Sequence, residues 1–165
     1  MGKRLTHVDT AGRLRMVDVG AKARTARRAR VRGEIRMQPE TVRQVTQGRV
    51  AKGNVLEAAR LAGIMAAKRT AELIPLCHPL NLTWVEVEFT VGEDRIQVEA
   101  EACIEERTGV EMEALTAAAV ALLTIYDMCK AVDRRMVISE VRLVEKQGGR
   151  SGTYRRPGEA DATAQ

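Results

Sequence analysis

Thr83–Asp133, TWVEVEFTVGEDRIQVEAEACIEERTGVEMEALTAAAVALLTIYDMCKAVD, changes its period once, and that change decides the fold. From Thr83 to Val91, the apolar Val85, Val87 and Phe89 alternate with Glu86 and Glu88. From Arg95 to Glu105, Ile96, Val98, Ala100, Ala102 and Ile104 take one side. Successive strand side chains point to opposite faces, so each segment reads as a strand with one buried face. Gly92-Glu93-Asp94 supplies the turn that joins them as a hairpin. From Ala114 to about Val132 the alternation is gone, and Ala, Val, Leu and Ile run nearly all the way round. That pattern predicts a buried helix laid on the apolar face of the hairpin.

The flanks repeat the theme. In residues 23–37, Ala29, Val31, Ile35 and Met37 face one way while Arg28, Arg30, Arg32 and Arg36 face the other, a half-buried strand with a basic outer face. Pro39 opens a short helix ending near Gly48. Asn54 is placed to cap a helix to about Arg69, with Val55, Ala58, Ala59, Ala62, Met65 and Ala66 inward and enough small residues for close packing. Pro75 and Pro79 exclude regular helix through LIPLCHPL, residues 73–80. A last strand covers Val137–Lys146. The order β, α, α, β, β, α, β predicts an α+β fold: a ferredoxin-like antiparallel sheet with helices packed on one face. Residues 1–165 read as one domain, with 1–21 an N-terminal arm and 148–165 a flexible Gly-rich C-terminal tail.

Net charge is +5, and the excess concentrates in residues 22–36, dense in Lys and Arg against the single Glu34. Such a balance favours an anionic partner. Aromatic residues make up only 2%, too few for the stacking platforms that bind single-stranded nucleic acid, although phosphate-only contacts stay open. No apolar run reaches the ~20 residues of a bilayer span, and the first ten residues lack a signal core. The three cysteines, Cys77, Cys103 and Cys129, are far apart and fit a reducing compartment, so a cytoplasmic protein is expected. His7 and His78 are the only histidines and no metal-ligand spacing exists, so no metal site is expected.

Charge at both ends of the most apolar helix demands a use. Glu111 and Glu113, two apart, would share one side of an extended approach as acceptors for a ligand, or be first-turn acids favoured by the helix dipole. Asp127 and Lys130, three apart, are neighbours on one helix face. They form either an ordinary surface ion pair or, among Ile125, Met128, Ala131 and Val132, a tuned proton carrier. Glu113 and Asp127 are ~21 Å apart at 1.5 Å per residue, so one small site in one chain does not use both ends. Either the ligand is long or two subunits share the site. Lys52 and Gly53 before a helix N-terminus make a candidate phosphate seat. Cys77 and His78 sit together in the proline loop, and residues 148–152 either wrap a phosphate or form a flexible tail.

RMVDVGAK (15–22), KGNVLEAARLAGIMAAKRTAELIPLCHPL (52–80), TGVEMEALTAAAVALLTIYDMCKAVD (108–133) and KQGGRSG (146–152) together resemble the cyclic pyranopterin monophosphate synthase family of molybdenum cofactor biosynthesis. The resemblance runs over roughly residues 5–152. It implies a lyase that converts (8S)-3',8-cyclo-7,8-dihydroguanosine 5'-triphosphate to cyclic pyranopterin monophosphate, releasing diphosphate. It implies a homohexamer, a trimer of dimers with active sites at the dimer interface, and no partner nucleic acid or membrane. By position Asp127, Lys130 and Lys52 match catalytic residues. Leu76, Cys77, His78, Glu111, Met112 and Glu113 match substrate-binding residues, and Lys22, Arg27 and Lys146 fit basic residues near the triphosphate. No cofactor is implied, and help from Mg²⁺ at the phosphates stays open. Asn54 stands where Asp is usual, and Arg107 and Arg150 where Lys is common. The competing readings are a basic ferredoxin-like nucleic-acid-binding protein, resting on residues 22–36 alone, and a non-catalytic nucleotide-binding module.

Overall fold

A computed structural model describes residues 8–9 and 11–159. The elements are β1 (Thr25–Arg36), α1 (Pro39–Thr46), α2 (Val55–Ala67), α3 (Thr70–Leu73), β2 (Trp84–Val91), β3 (Arg95–Glu106), α4 (Glu111–Cys129), β4 (Val137–Gln147) and β5 (Tyr154–Arg155). The sheet is antiparallel throughout, in the order β2-β3-β1-β4-β5. Its first four strands have the ferredoxin-like order, with the helices on one face. The hairpin closes where expected, with the Gly92 amide donating to the Arg95 carbonyl at 2.9 Å.

The core forms between the sheet and α4. Ala29, Val31 and Ile35 of β1, Val98, Ala100 and Ala102 of β3, and Ala114, Ala117, Ala121, Leu122 and Ile125 of α4 have no exposed surface. Small residues set how close the layers come. A Cβ on Gly33 of β1 would lie 2.9 Å from Leu122 Cδ1. One on Gly63 of α2 would lie 2.9 Å from the Ala117 carbonyl oxygen. The α2–α4 crossing is therefore a backbone-to-backbone approach that only glycine allows. With 19 residues, α4 has the length and apolarity of a membrane span, but here it is the central helix of the core.

Several expectations are corrected. Asn54 does cap α2, accepting from the Glu57 amide at 3.2 Å. The buried face of α2, however, is Val55, Ala59, Gly63, Ala66 and Ala67, and Met65 is 45% exposed. The helix turned slightly to bring Gly63, not Met65, against α4. The flexible tail expected from 148 is structured through its first part: β5 pairs with β4, and the Arg156 amide donates to the Val144 carbonyl at 2.8 Å. His7, part of the arm and residues 160–165 lie outside the described residues.

The basic outer face of β1 is the largest correction. Register places Arg28, Arg30 and Arg32 opposite Cys103, Glu101 and Glu99 of β3. Arg28 pairs with Glu101, Arg30 lies 3.2 Å from Glu145 and 3.4 Å from Glu101, and Arg32 lies 2.6 Å from Glu99 and 3.0 Å from Glu159. These arginines bind glutamates of their own sheet and of the C-terminal segment. The stripe that suggested nucleic acid is a lattice of ion pairs on the outer face of the sheet.

Candidate active site

Lys52, Asp127 and Lys130 come together from two elements. The loop after α1 carries Lys52, the last turn of α4 carries Asp127, and Lys130 is the C-cap of α4. Lys52 Nζ is 2.7 Å from Asp127 Oδ2, and Lys130 Nζ is 2.7 Å from Oδ1, so each carboxylate oxygen has its own ammonium. Lys52 also donates to the Asp127 backbone carbonyl at 3.0 Å. The Lys130 and Lys52 ammonium groups hold the Asp127 carboxyl down at about 2. Asp127 is thus a fixed anion across the physiological range. Two expectations change here. The pair does not sit against an apolar wall within one chain, since the Asp127 side chain is 55% exposed. Lys52 does not wait for a phosphate beside Gly53; its ammonium is turned to Asp127.

The other end of α4 faces two adjoining hollows. One, about 300 Å³, is lined by Leu76, Cys77, His78, Glu111, Met112 and Glu113, together with Lys22 and the arm residues Val17 and Val19. The second, about 530 Å³, is lined by Lys22, Thr25, Arg27, Arg107, Arg150 and Ser151. Lys22, Thr108 and Gly109 border both, so they form one continuous cleft. One half presents carboxylates and the proline loop. The other presents four cationic side chains, with no carboxylate among its described lining residues.

Glu111 and Glu113 reach the first hollow by a route other than the expected one. α4 begins at Glu111, three residues before the predicted start, so they stand on a helical turn rather than an extended segment. Residues two apart on a helix diverge. Glu111 is only partly covered, while Glu113 is 3% exposed. Burial, with the Glu111 carboxylate adding to it, pushes the Glu113 carboxyl up to about 7. Burial first, then the Glu113 charge, pushes the Cys77 thiol up as well. A raised thiol is a poor nucleophile, which fits a lining role for Cys77.

Arg27 shows why the strand's parity matters. It sits on the helix side of β1, with Ala29 and Val31, while Arg28, Arg30 and Arg32 lie behind the sheet. Its Nε donates to the Glu106 carbonyl at 2.9 Å and its Nη2 to the Arg107 carbonyl at 3.1 Å. Gly149, with φ +73°, approaches so closely that a Cβ there would fall 2.2 Å from Arg27 Nη1. Arg27 therefore ties the 106–109 loop to the 148–152 loop across the basic hollow. Lys146 points to the same end of the sheet, borders a small crevice with Arg27 and Gly148, and bonds Ser151 Oγ.

All the expected residues fall in these two groups: Lys52, Asp127 and Lys130 at one end of α4, and the remainder around the cleft at the other. Sequence reasoning missed Thr25, Thr108 and Gly109 in the cleft, while Ser151 falls within the 148–152 segment expected to wrap a phosphate. The first three carry no charge or spacing signal, and only the fold brings them there.

A family model described as the MoaC family matches residues 16–149. The chain is 59% identical over 155 residues to a protein of Chloroflexus aurantiacus named cyclic pyranopterin monophosphate synthase, covering 93% of this chain and 95% of that one. It is 62% identical over 154 residues to the protein of that name from Thermomicrobium roseum, covering 92% and 93%. For the one from Pelotomaculum thermopropionicum the identity is 59% over 157 residues, covering 94% and 92%.

Proposed function

This chain belongs to the MoaC family, and on that premise we propose the reaction it performs. It is a cyclic pyranopterin monophosphate synthase, a lyase of molybdenum cofactor biosynthesis. Its substrate is (8S)-3',8-cyclo-7,8-dihydroguanosine 5'-triphosphate, and its products are cyclic pyranopterin monophosphate and diphosphate. The continuous cleft is the observation that carries this reading. A cationic half suits a triphosphate, and a half with two glutamates suits the hydrogen-bond donors of a guanine-derived ring.

Lys22, Arg27, Arg107 and Arg150 hold the phosphates and neutralise the charge that develops as diphosphate leaves. Glu111 and Glu113 accept from the ring, with Leu76, Cys77, His78 and Met112 packed about it. Lys130 moves protons as the ribose-derived carbons rearrange, and Asp127 orients it. Lys52 shares the Asp127 carboxylate and is the second cation of that group. We propose no cofactor for these steps beyond Mg²⁺ that could assist at the phosphates.

The two groups stand ~21 Å apart along α4, from Glu113 to Asp127. We therefore assign each active site to two subunits, one giving the cleft and the other the Lys52–Asp127–Lys130 group. Exposed Leu61 and Met65 of α2 and Leu123 of α4 support burial against further copies, and a homohexamer built as a trimer of dimers is the assembly proposed. The three free cysteines support a cytoplasmic location.

The test is product analysis of the purified chain with the cyclised triphosphate. Cyclic pyranopterin monophosphate and diphosphate should appear in equal amounts. Near-normal turnover by Lys130→Ala would refute the role of Lys130.

A further inference from the structure

Asp133 lies three residues beyond Lys130 and is 2% exposed. Its carboxylate accepts four hydrogen bonds. Three come from the start of α1: the Gln38 amide at 2.9 Å, the Thr41 hydroxyl at 3.2 Å and the Gln38 side-chain amide at 3.3 Å. The fourth comes from the Arg135 amide at 3.0 Å. Burial alone would push this carboxyl up. The Gln38 and Arg135 amides, helped by the Gln38 and Thr41 side chains, outweigh it and hold the group below its usual value. Asp133 is a buried anion satisfied almost entirely by another element.

That element needs the anchor. Gln38 is the N-cap of α1, and its own side chain makes no capping bond. From there the chain runs stiffly to Lys52. Val42, Val45 and Val50 are buried, the Arg49 amide donates to the Gln44 carbonyl at 2.9 Å, and the Gly53 amide donates to the Val50 carbonyl at 2.9 Å. One end of this unit is fixed at Asp133, and the other delivers Lys52 to Asp127. The buried Cys129 thiol feels both charges. Burial pushes it up to about 11, the Asp133 charge adds to that, and the Lys52 charge opposes it.

We propose that Asp133 is a positioning residue for the Lys52–Asp127–Lys130 group: it pins the start of α1 to the end of α4 and so sets where Lys52 meets Asp127. Its kinetic consequence rests on the catalytic role proposed above; its geometric consequence does not. The test uses the full chain with ¹³C-carboxyl aspartate. Asp133→Asn keeps the size of the side chain but sets an amide NH₂ against the donors of α1. Once Lys52 is displaced, the Asp127 resonance should titrate above its parent position, toward 3.8. Turnover number should fall roughly ten- to hundredfold, as sub-ångström to ångström misplacement of catalytic groups does, with KM little changed. In a Lys52→Ala background the same substitution should no longer move the Asp127 titration.

An unchanged Asp127 titration in a folded Asp133→Asn protein overturns the proposal. A moved titration with unchanged turnover upholds it and refutes the catalytic reading of the group. If Asp133→Asn does not fold, Thr41→Val removes one donor and should give a smaller change of the same sign. No change there overturns the proposal.

Discussion

Glu113→Gln should abolish a loss of stability that the parent chain suffers as pH rises from 5 to 8. Glu113 is 3% exposed, and burial, with the Glu111 carboxylate adding to it, sets its folded-state value at about 7 against an ordinary 4.5. Between those values the native state holds a proton that the unfolded chain has lost. Stability from the neutral form is therefore fully present below 4.5 and disappears as pH passes about 7. The span corresponds to roughly 3 kcal/mol at 1.36 kcal/mol per pH unit. A chain of this size changes its melting temperature by about 2–4 °C per kcal/mol, so the variant should gain on the order of 6–12 °C over the parent between pH 5 and 8. Thermal or urea unfolding of both proteins across that range measures it. Carboxylates held low elsewhere, such as Glu34 and Glu145, act on both proteins alike and cancel in the difference. A variant-minus-parent difference that stays flat from pH 5 to 8 would refute the argument that burial dominates at Glu113.

Gly63→Ala should destabilise the chain by roughly 1–3 kcal/mol, although alanine normally favours a helix, because its Cβ meets the Ala117 carbonyl oxygen; calorimetry decides the sign. Gly149→Ala should raise KM for the triphosphate with less effect on turnover, since it displaces Arg27 and strains a backbone at φ +73°. Equal loss in turnover with KM unchanged would count against the phosphate assignment. RNA and DNA should bind only weakly at physiological salt, because the arginine stripe of β1 is already paired.

Sequence alone carried the fold a long way. The single change of period in Thr83–Asp133 located β2, β3 and α4, because alternation and helical repeat are opposite demands on one core. Asn54 was readable as a cap because its side chain serves a local amide. Misreadings arose where a distant partner decides. Nothing near Arg28, Arg30 or Arg32 announces that Glu99, Glu101 and Glu145 will lie across from them; that depends on strand register. Glu111 and Glu113 looked extended because Val110 and Met112 alternate with them, but α4 starts a turn earlier to lay Ala114 on the sheet. Lys52 pointed to a phosphate from its local surroundings, and only the docking of α1 shows it reaching Asp127. The basic cleft is built from residues far apart in the chain, so its shape was illegible although Lys22, Arg27 and Lys146 were named.

β1 works like a two-sided key. Its odd positions give Arg27 to the cleft and Ala29, Val31, Gly33 and Ile35 to the core, and its even positions give Arg28, Arg30 and Arg32 to the lattice behind. Substitution at any one of these sites disturbs one side. Loss or gain of a single residue between Arg27 and Gly33 would exchange the sides, driving arginines into the core and valine among the glutamates. Descent within such a strand can rewrite its letters but not its count, and its length should hold fixed among proteins whose surfaces and loops have otherwise drifted.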